Sequence, residues 1–136
     1  MAGRAPRHRA HAPRHRDRKA AEARGRRAER WAAWWLRLKG YRLVERRFRT
    51  PVGEVDLIVA KGPVLAFVEV KHRRALAHLP DSLNARQRDR VARAALAYMA
   101  GNPTAAGADI RFDLVLVGRW PWPRHIPGAW RPRAGL

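Results

Sequence analysis

The chain has 136 residues, 46 % of them hydrophobic, no cysteine, and a formal net charge of +19 from 30 Lys and Arg against 11 Asp and Glu. That length holds one domain at most, plus tails, and the missing thiols exclude a disulfide framework or a thiolate metal site. No apolar run approaches the ~18 residues of a membrane span, and a charge far beyond what solubility requires points to a polyanionic partner, most simply nucleic acid.

Biased composition is the other source of such a charge, since Ala and Arg abound and Ser occurs once, at Ser82. Bias alone would not leave acids so scarce. The four lysines, Lys19, Lys39, Lys61 and Lys71, stand against 26 arginines. This chain writes Arg almost wherever a positive charge suffices, so the Lys at position 71 points to a need for a compact, tunable ammonium there. Without cysteine, a reducing cytoplasm is the expected setting.

Residues 1–18 are rich in Arg, His, Pro and Ala, with one acid, Asp17. They lack periodicity and an apolar signal region, and read as a disordered basic arm. The spacing of Ala28, Trp31, Ala32, Trp35 and Leu38 predicts a helix over Ala20–Lys39, ended by Gly40 as the residue past the cap. Trp31, Trp34 and Trp35 could stack on bases, but helical spacing places at least Trp31 and Trp35 in the core. Tyr41–Arg49 reads as a first strand, and Thr50-Pro51-Val52-Gly53 as the turn that follows. Arg49, just before it, is either a phosphate contact or an ordinary surface Arg.

Gly53–Arg73 reads as two strands about a Gly62-Pro63 turn. Centring the turn there pairs Lys61 with Val64, Asp56 with Glu69 and Glu54 with Lys71. Parity then puts Glu54, Asp56, Glu69 and Lys71 on one face. Glu54 and Lys71 suit an ordinary cross-strand ion pair. Asp56 and Glu69 do not: opposed carboxylates repel unless a divalent cation lies between them. Lys71 would stand beside the open positions of such an ion.

His72-Arg73-Arg74 forms a basic cluster suited to phosphates flanking a scissile bond. Parity turns His72 away from Glu69 and Lys71. Ala75–Asp81 is a loop. Asn84 or Ser82 caps a second helix, and Asn84-x-x-Gln87 has the form of a capping box. Val91, Ala94, Ala95, Tyr98 and Met99 are its buried stripe. After a loop over Gly101–Gly107, Asp109–Val117 alternates as a strand through Ile110, Phe112, Leu114 and Leu116. Asp113 suits an Arg partner better than a metal. Trp120, Trp122 and Trp130 lie among prolines near the end, where packing on the sheet edge is preferred over base stacking.

Asp56 with Glu69-Val70-Lys71 resembles the D…(D/E)xK signature of the PD-(D/E)xK nuclease superfamily. Gly53-Glu54-Val55-Asp56-Leu57-Ile58 followed by Phe67-Val68-Glu69-Val70-Lys71 more narrowly resembles the YraN family of bacterial proteins, and also Holliday-junction resolvases. Val55 stands where the superfamily often has Pro. Arg111-Phe112-Asp113 resembles the family as well. Arg47 occupies a position where the family often has Asn, and takes no role from the resemblance.

The resemblance implies the restriction-endonuclease-like fold, an open mixed α/β sheet flanked by helices, over about residues 20–118. The chain then divides into an arm (1–18), the nuclease-like domain (19–118) and a Pro/Trp-rich extension (119–136). It implies Mg²⁺ or Mn²⁺ held by Asp56, Glu69 and the Val70 carbonyl, with Lys71 as a catalytic residue. Glu54 is a further candidate ligand, as is Glu29 on the first helix, whose alternative is a surface pair with Arg. Gln87 matches a polar position near the site. The expected activity is cleavage of phosphodiester bonds in nucleic acid, DNA before RNA, by a chain that does not enter membranes and whose oligomeric state is left open. The competing classes are a nucleic-acid-binding protein that does not cut and a scaffold for an acidic protein.

Overall fold

The computed structural model describes residues 15–72, 84–118 and 121–133. Helix α1 (His15–Leu38) leads into strands β1 (Arg42–Thr50), β2 (Gly53–Lys61) and β3 (Val64–His72). Helix α2 (Ala85–Gly101), a short 3₁₀ turn at Pro103–Ala105, β4 (Asp109–Val117) and β5 (Arg124–Trp130) follow. The five strands form one sheet in chain order. All neighbours are antiparallel except β3 and β4, which run parallel with α2 as the crossover that such a pair requires. The fold is thus the mixed α/β sheet flanked by two helices that the sequence implies. Among the described residues, no helix is long and apolar enough to cross a membrane.

β3 is buried on both sides, and its side chains alternate between two cores. Leu65 and Phe67 join Val91, Ala94, Ala95 and Tyr98 of α2. Ala66 and Val68 join Ala32, Ala33 and Leu36 of α1. The Gly62 turn has φ +55°, the left-handed opening that glycine supplies without strain. The expected register follows, from Lys61↔Val64 to Leu57↔Val68. Asn84 caps α2, its Oδ1 accepting from Gln87 N–H at 3.0 Å.

Four expectations change. α1 starts at His15, so residues 15–18, assigned to the arm, are helical. Its buried face is Ala32, Ala33 and Leu36, while Trp31 is 44 % and Leu38 61 % exposed. Alanines let the helix lie close to the sheet, and the indoles are displaced to its flanks. The expected pairs Asp56 with Glu69 and Glu54 with Lys71 do not form, because the β2–β3 ladder ends at Leu57↔Val68. A fifth strand lies in the extension: Arg124–Trp130 pairs with β4 and buries Trp130 against Phe112. Trp122 stays 55 % exposed, its ring 5.6 Å from that of Trp35. Trp120 and Ser82 lie outside the described residues.

Candidate active site

Beyond Leu57↔Val68 the two central strands part. β2 continues with β1 to Gly53↔Thr50, and β3 continues with β4 to His72↔Val117. The fork leaves Asp56 and Glu69 unpaired by the ladder. Asp56 replaces the lost ladder bond with its side chain: Oδ2 accepts the Val70 N–H at 2.7 Å. A cavity of about 710 Å³ opens here, lined by Asp56, Glu69, Val70, Lys71 and His72 from the sheet. Ala21, Arg24, Gly25, Ala28 and Glu29 of α1 form its other wall. The small residues recur at helical spacing and leave the room; a Cβ on Gly25 would meet nothing within 4 Å.

The local backbone is irregular at Asp56. Val55 enters the α2-side core, whereas Leu57, of the same parity, enters the α1-side core. Across from Asp56, between the pairs Arg46↔Leu57 and Phe48↔Val55, Arg47 takes φ +49°. Positive φ is rare for such a residue and marks stored strain. Arg47 Nε donates to Glu29 Oε2 at 2.7 Å, tying β1 to α1 beside the cavity. Sequence patterning assigns no role to Arg47 or Arg24.

The two carboxyls lie close enough for one proton to be held between them. Burial raises the pKa of Asp56, assisted by the Glu29 charge and opposed by the bonds from Glu69 and Val70 and by Lys71. Burial, then the charge of Asp56 and the bond to it, pushes Glu69 up to about 9, with Lys71 opposing. A half-buried carboxyl pair that cannot ionise fully is what a divalent cation would relieve, and carboxylate oxygens are its preferred donors. The residues therefore fit such an ion. Among the described residues no three His, Cys, Asp or Glu side chains converge on one point, so an ion at this pair would draw its remaining donors from backbone and solvent.

Glu54 is directed elsewhere. Its carboxylate lies 3.6 Å from Arg49 Nε and 3.4 Å from Arg90 Nη2. Its expected partner Lys71 stands at the cavity instead, and Glu54 reaches the site only as a charge that raises Glu69. Arg49 is on the exposed side of that pair and Gln87 contributes to the α2 cap; neither lines the cavity. His72 does line it, against the expectation from parity, because the strand end stands free of β2. Arg73 and Arg74 lie outside the described residues.

Asp113 has the structural part expected of it, and more. It is fully buried and accepts two bonds of 2.7 Å from Arg111, one of 3.0 Å from Gly128 N–H and one of 2.7 Å from His125 Nε2. Lys39 Nζ sits 2.7 Å from His125 Nδ1. An ammonium only donates, so Nδ1 accepts and the Nε2–H donates to Asp113. Burial alone would raise the Asp113 pKa; the bonds from His125, Arg111 and Gly128 outweigh it and hold the carboxyl down at about 2. This network fastens β5 and the C-terminal end of α1 to β4. Lys61 adds to it by donating to the Lys39 carbonyl at 2.7 Å.

The family model of the uncharacterised protein family UPF0102 matches residues 28–117. A UPF0102 protein of Paramagnetospirillum magneticum is 48 % identical over 124 residues, covering 88 % of this chain and 96 % of the relative. One from Methylorubrum extorquens is 50 % identical over 112 residues, covering 82 % and 88 %. One from Sphingopyxis alaskensis is 49 % identical over 115 residues, covering 85 % and 98 %.

Proposed function

For a chain that belongs to the UPF0102 (YraN) family and carries this cavity, we propose the function of a metal-dependent endonuclease acting on phosphodiester bonds of DNA, branched DNA included. The observation that carries the reading is the half-buried Asp56–Glu69 carboxyl pair at a fork of the sheet, with Lys71 at the same cavity. Asp56, Glu69 and the Val70 carbonyl would hold Mg²⁺ or Mn²⁺. When bound, such an ion polarises a phosphate oxygen and lowers the pKa of a coordinated water.

The chain's own residues do the rest. The Val70 N–H fixes the Asp56 carboxylate through a 2.7 Å bond, so one donor is oriented before any ligand arrives. Lys71 positions the attacking water and offsets the negative charge that grows at phosphorus. Glu29, held by Arg47, keeps a further negative charge at the α1 wall, where it favours a cation in the cavity. Arg24, on the same wall, and His72, at the strand end, line the cavity and would meet the phosphates on either side.

A binding protein that does not cut is the second reading, supported by the +19 charge, which is independent of the carboxylates. Cleavage of duplex, flap and four-way-junction DNA with Mn²⁺ or Mg²⁺, in the wild type and in Glu69→Gln, separates the two. Product that requires both the ion and Glu69 supports the nuclease. Binding without product in every case supports the second reading.

A further inference from the structure

We propose that α1 carries a base-stacking platform, made by Trp31 and Trp34 with Arg27 and Arg30, that takes unpaired bases of the nucleic acid next to the cavity. The proposal deepens the nucleic-acid reading of that cavity by naming single-stranded segments as part of the substrate.

Trp31 and Trp34 are each 44 % exposed, although Trp is a residue that cores take up readily. Their rings meet edge to face at 5.2 Å. With Arg27 and Arg30 they line a shallow depression of about 320 Å³. Neither indole joins the α1-side core, which is filled by Ala32, Ala33 and Leu36.

The position along the helix gives the platform its use. Arg24, Arg27, Trp31 and Trp34 follow one another at steps of three and four, so they form one stripe. Arg24 is the first member and also lines the carboxylate cavity. At 1.5 Å per residue the stripe is about 15 Å long, enough for a few nucleotides. A strand leaving the cavity would pass from guanidinium to guanidinium and then onto indole. Guanidinium with aromatic faces is the chemistry by which unpaired bases are held without regard to sequence.

Charge selects the occupant. α1 has eight Arg and Lys against three acids, so two copies of this face would repel. A polyanion with exposed π faces is attracted by both features. Duplex DNA satisfies only the charge, because its bases are already stacked.

The test measures binding with EDTA present, so it is independent of cleavage. Fluorescein-labelled oligo-dT, an abasic strand of equal length and a duplex are titrated by anisotropy at near-physiological salt. The Trp31→Ala/Trp34→Ala double variant should lose about 5- to 150-fold in affinity for oligo-dT, the range for one stacked base. The abasic strand and the duplex should bind it as before, and Trp34→Phe should retain part of the dT affinity. Melting curves check that the variant is folded. Equal losses on all three ligands, or no loss on any, overturn the platform. So does sedimentation showing a wild-type dimer that the double variant abolishes, which would make the indoles a contact between copies. Absence of nuclease activity would overturn the cleavage proposal and leave this result standing.

Discussion

Replacing Asp56 by Asn removes one charge from the shared-proton pair and almost nothing else. The Asn oxygen can still accept from Val70 N–H, as Asp56 Oδ2 does at 2.7 Å, and its amide can donate to Glu69. In the metal-free wild type, Glu69 has its pKa raised from 4.5 to about 9. Between those values the folded protein holds a proton that the unfolded chain has lost. Raising the pH through that window therefore favours unfolding, by about 1.4 kcal/mol per pH unit at most. From about pH 5 to about pH 8 the wild type should lose on the order of 3–4 kcal/mol. Asp56→Asn deletes the charge next to Glu69 and leaves burial and the Glu54 charge to raise it, so the decline should level off at lower pH. Urea unfolding of the two metal-free proteins across that range measures both slopes. Mn²⁺ must then displace the shared proton from the wild type. At 100-fold excess over its Kd it should add about 2.7 kcal/mol, or roughly 8–14 °C in melting temperature for a domain of this size. Asp56→Asn should show no such gain. Identical pH slopes in the two proteins would refute the shared proton. A wild type indifferent to millimolar Mn²⁺ would refute the metal site and the nuclease with it.

Other expectations follow from single contacts. A Cβ on Gly53 would stand 1.9 Å from the Arg90 carbonyl oxygen, so Gly53→Ala must push α2 off β2 and should cost about 1–3 kcal/mol in urea melts. Lys71→Ala should keep the Mn²⁺ stabilisation while single-turnover cleavage drops by about 100-fold or more; parallel loss of both would make Lys71 structural. Arg47→Asn should be tolerated, since Asn accepts the φ of +49°, whereas Arg47→Val should be less stable by about 1–3 kcal/mol in the same urea assay. Duplex affinity should fall with log salt at a slope near −0.9 per phosphate contacted, and an affinity flat in salt would exclude a phosphate-led interface.

The sequence by itself determined what depends on neighbours in the chain. The Gly62-Pro63 turn set the β2–β3 register, because a glycine with positive φ and alternating residues leave one pairing that buries both sides. Asn84 capped α2, and Asp109–Val117 alternated into β4, for equally local reasons. The residues of the carboxylate pair were legible from their incompatibility with a plain hairpin. Their geometry was not. Extending the ladder put Asp56 opposite Glu69, whereas the sheet splits there, because β2 is drawn toward β1 and β3 toward β4. β5 was hidden because Pro127-Gly128 breaks any alternation; it is held by bonds to Asp113, distant in sequence. The facing of Trp31 was decided by how closely alanines let α1 approach the sheet. Arg47 and Glu29, far apart in the chain, met only once helix and sheet were packed. Local preferences fix turns, caps and register, but where strands part and which face of a helix is covered are decided by the whole sheet competing for partners.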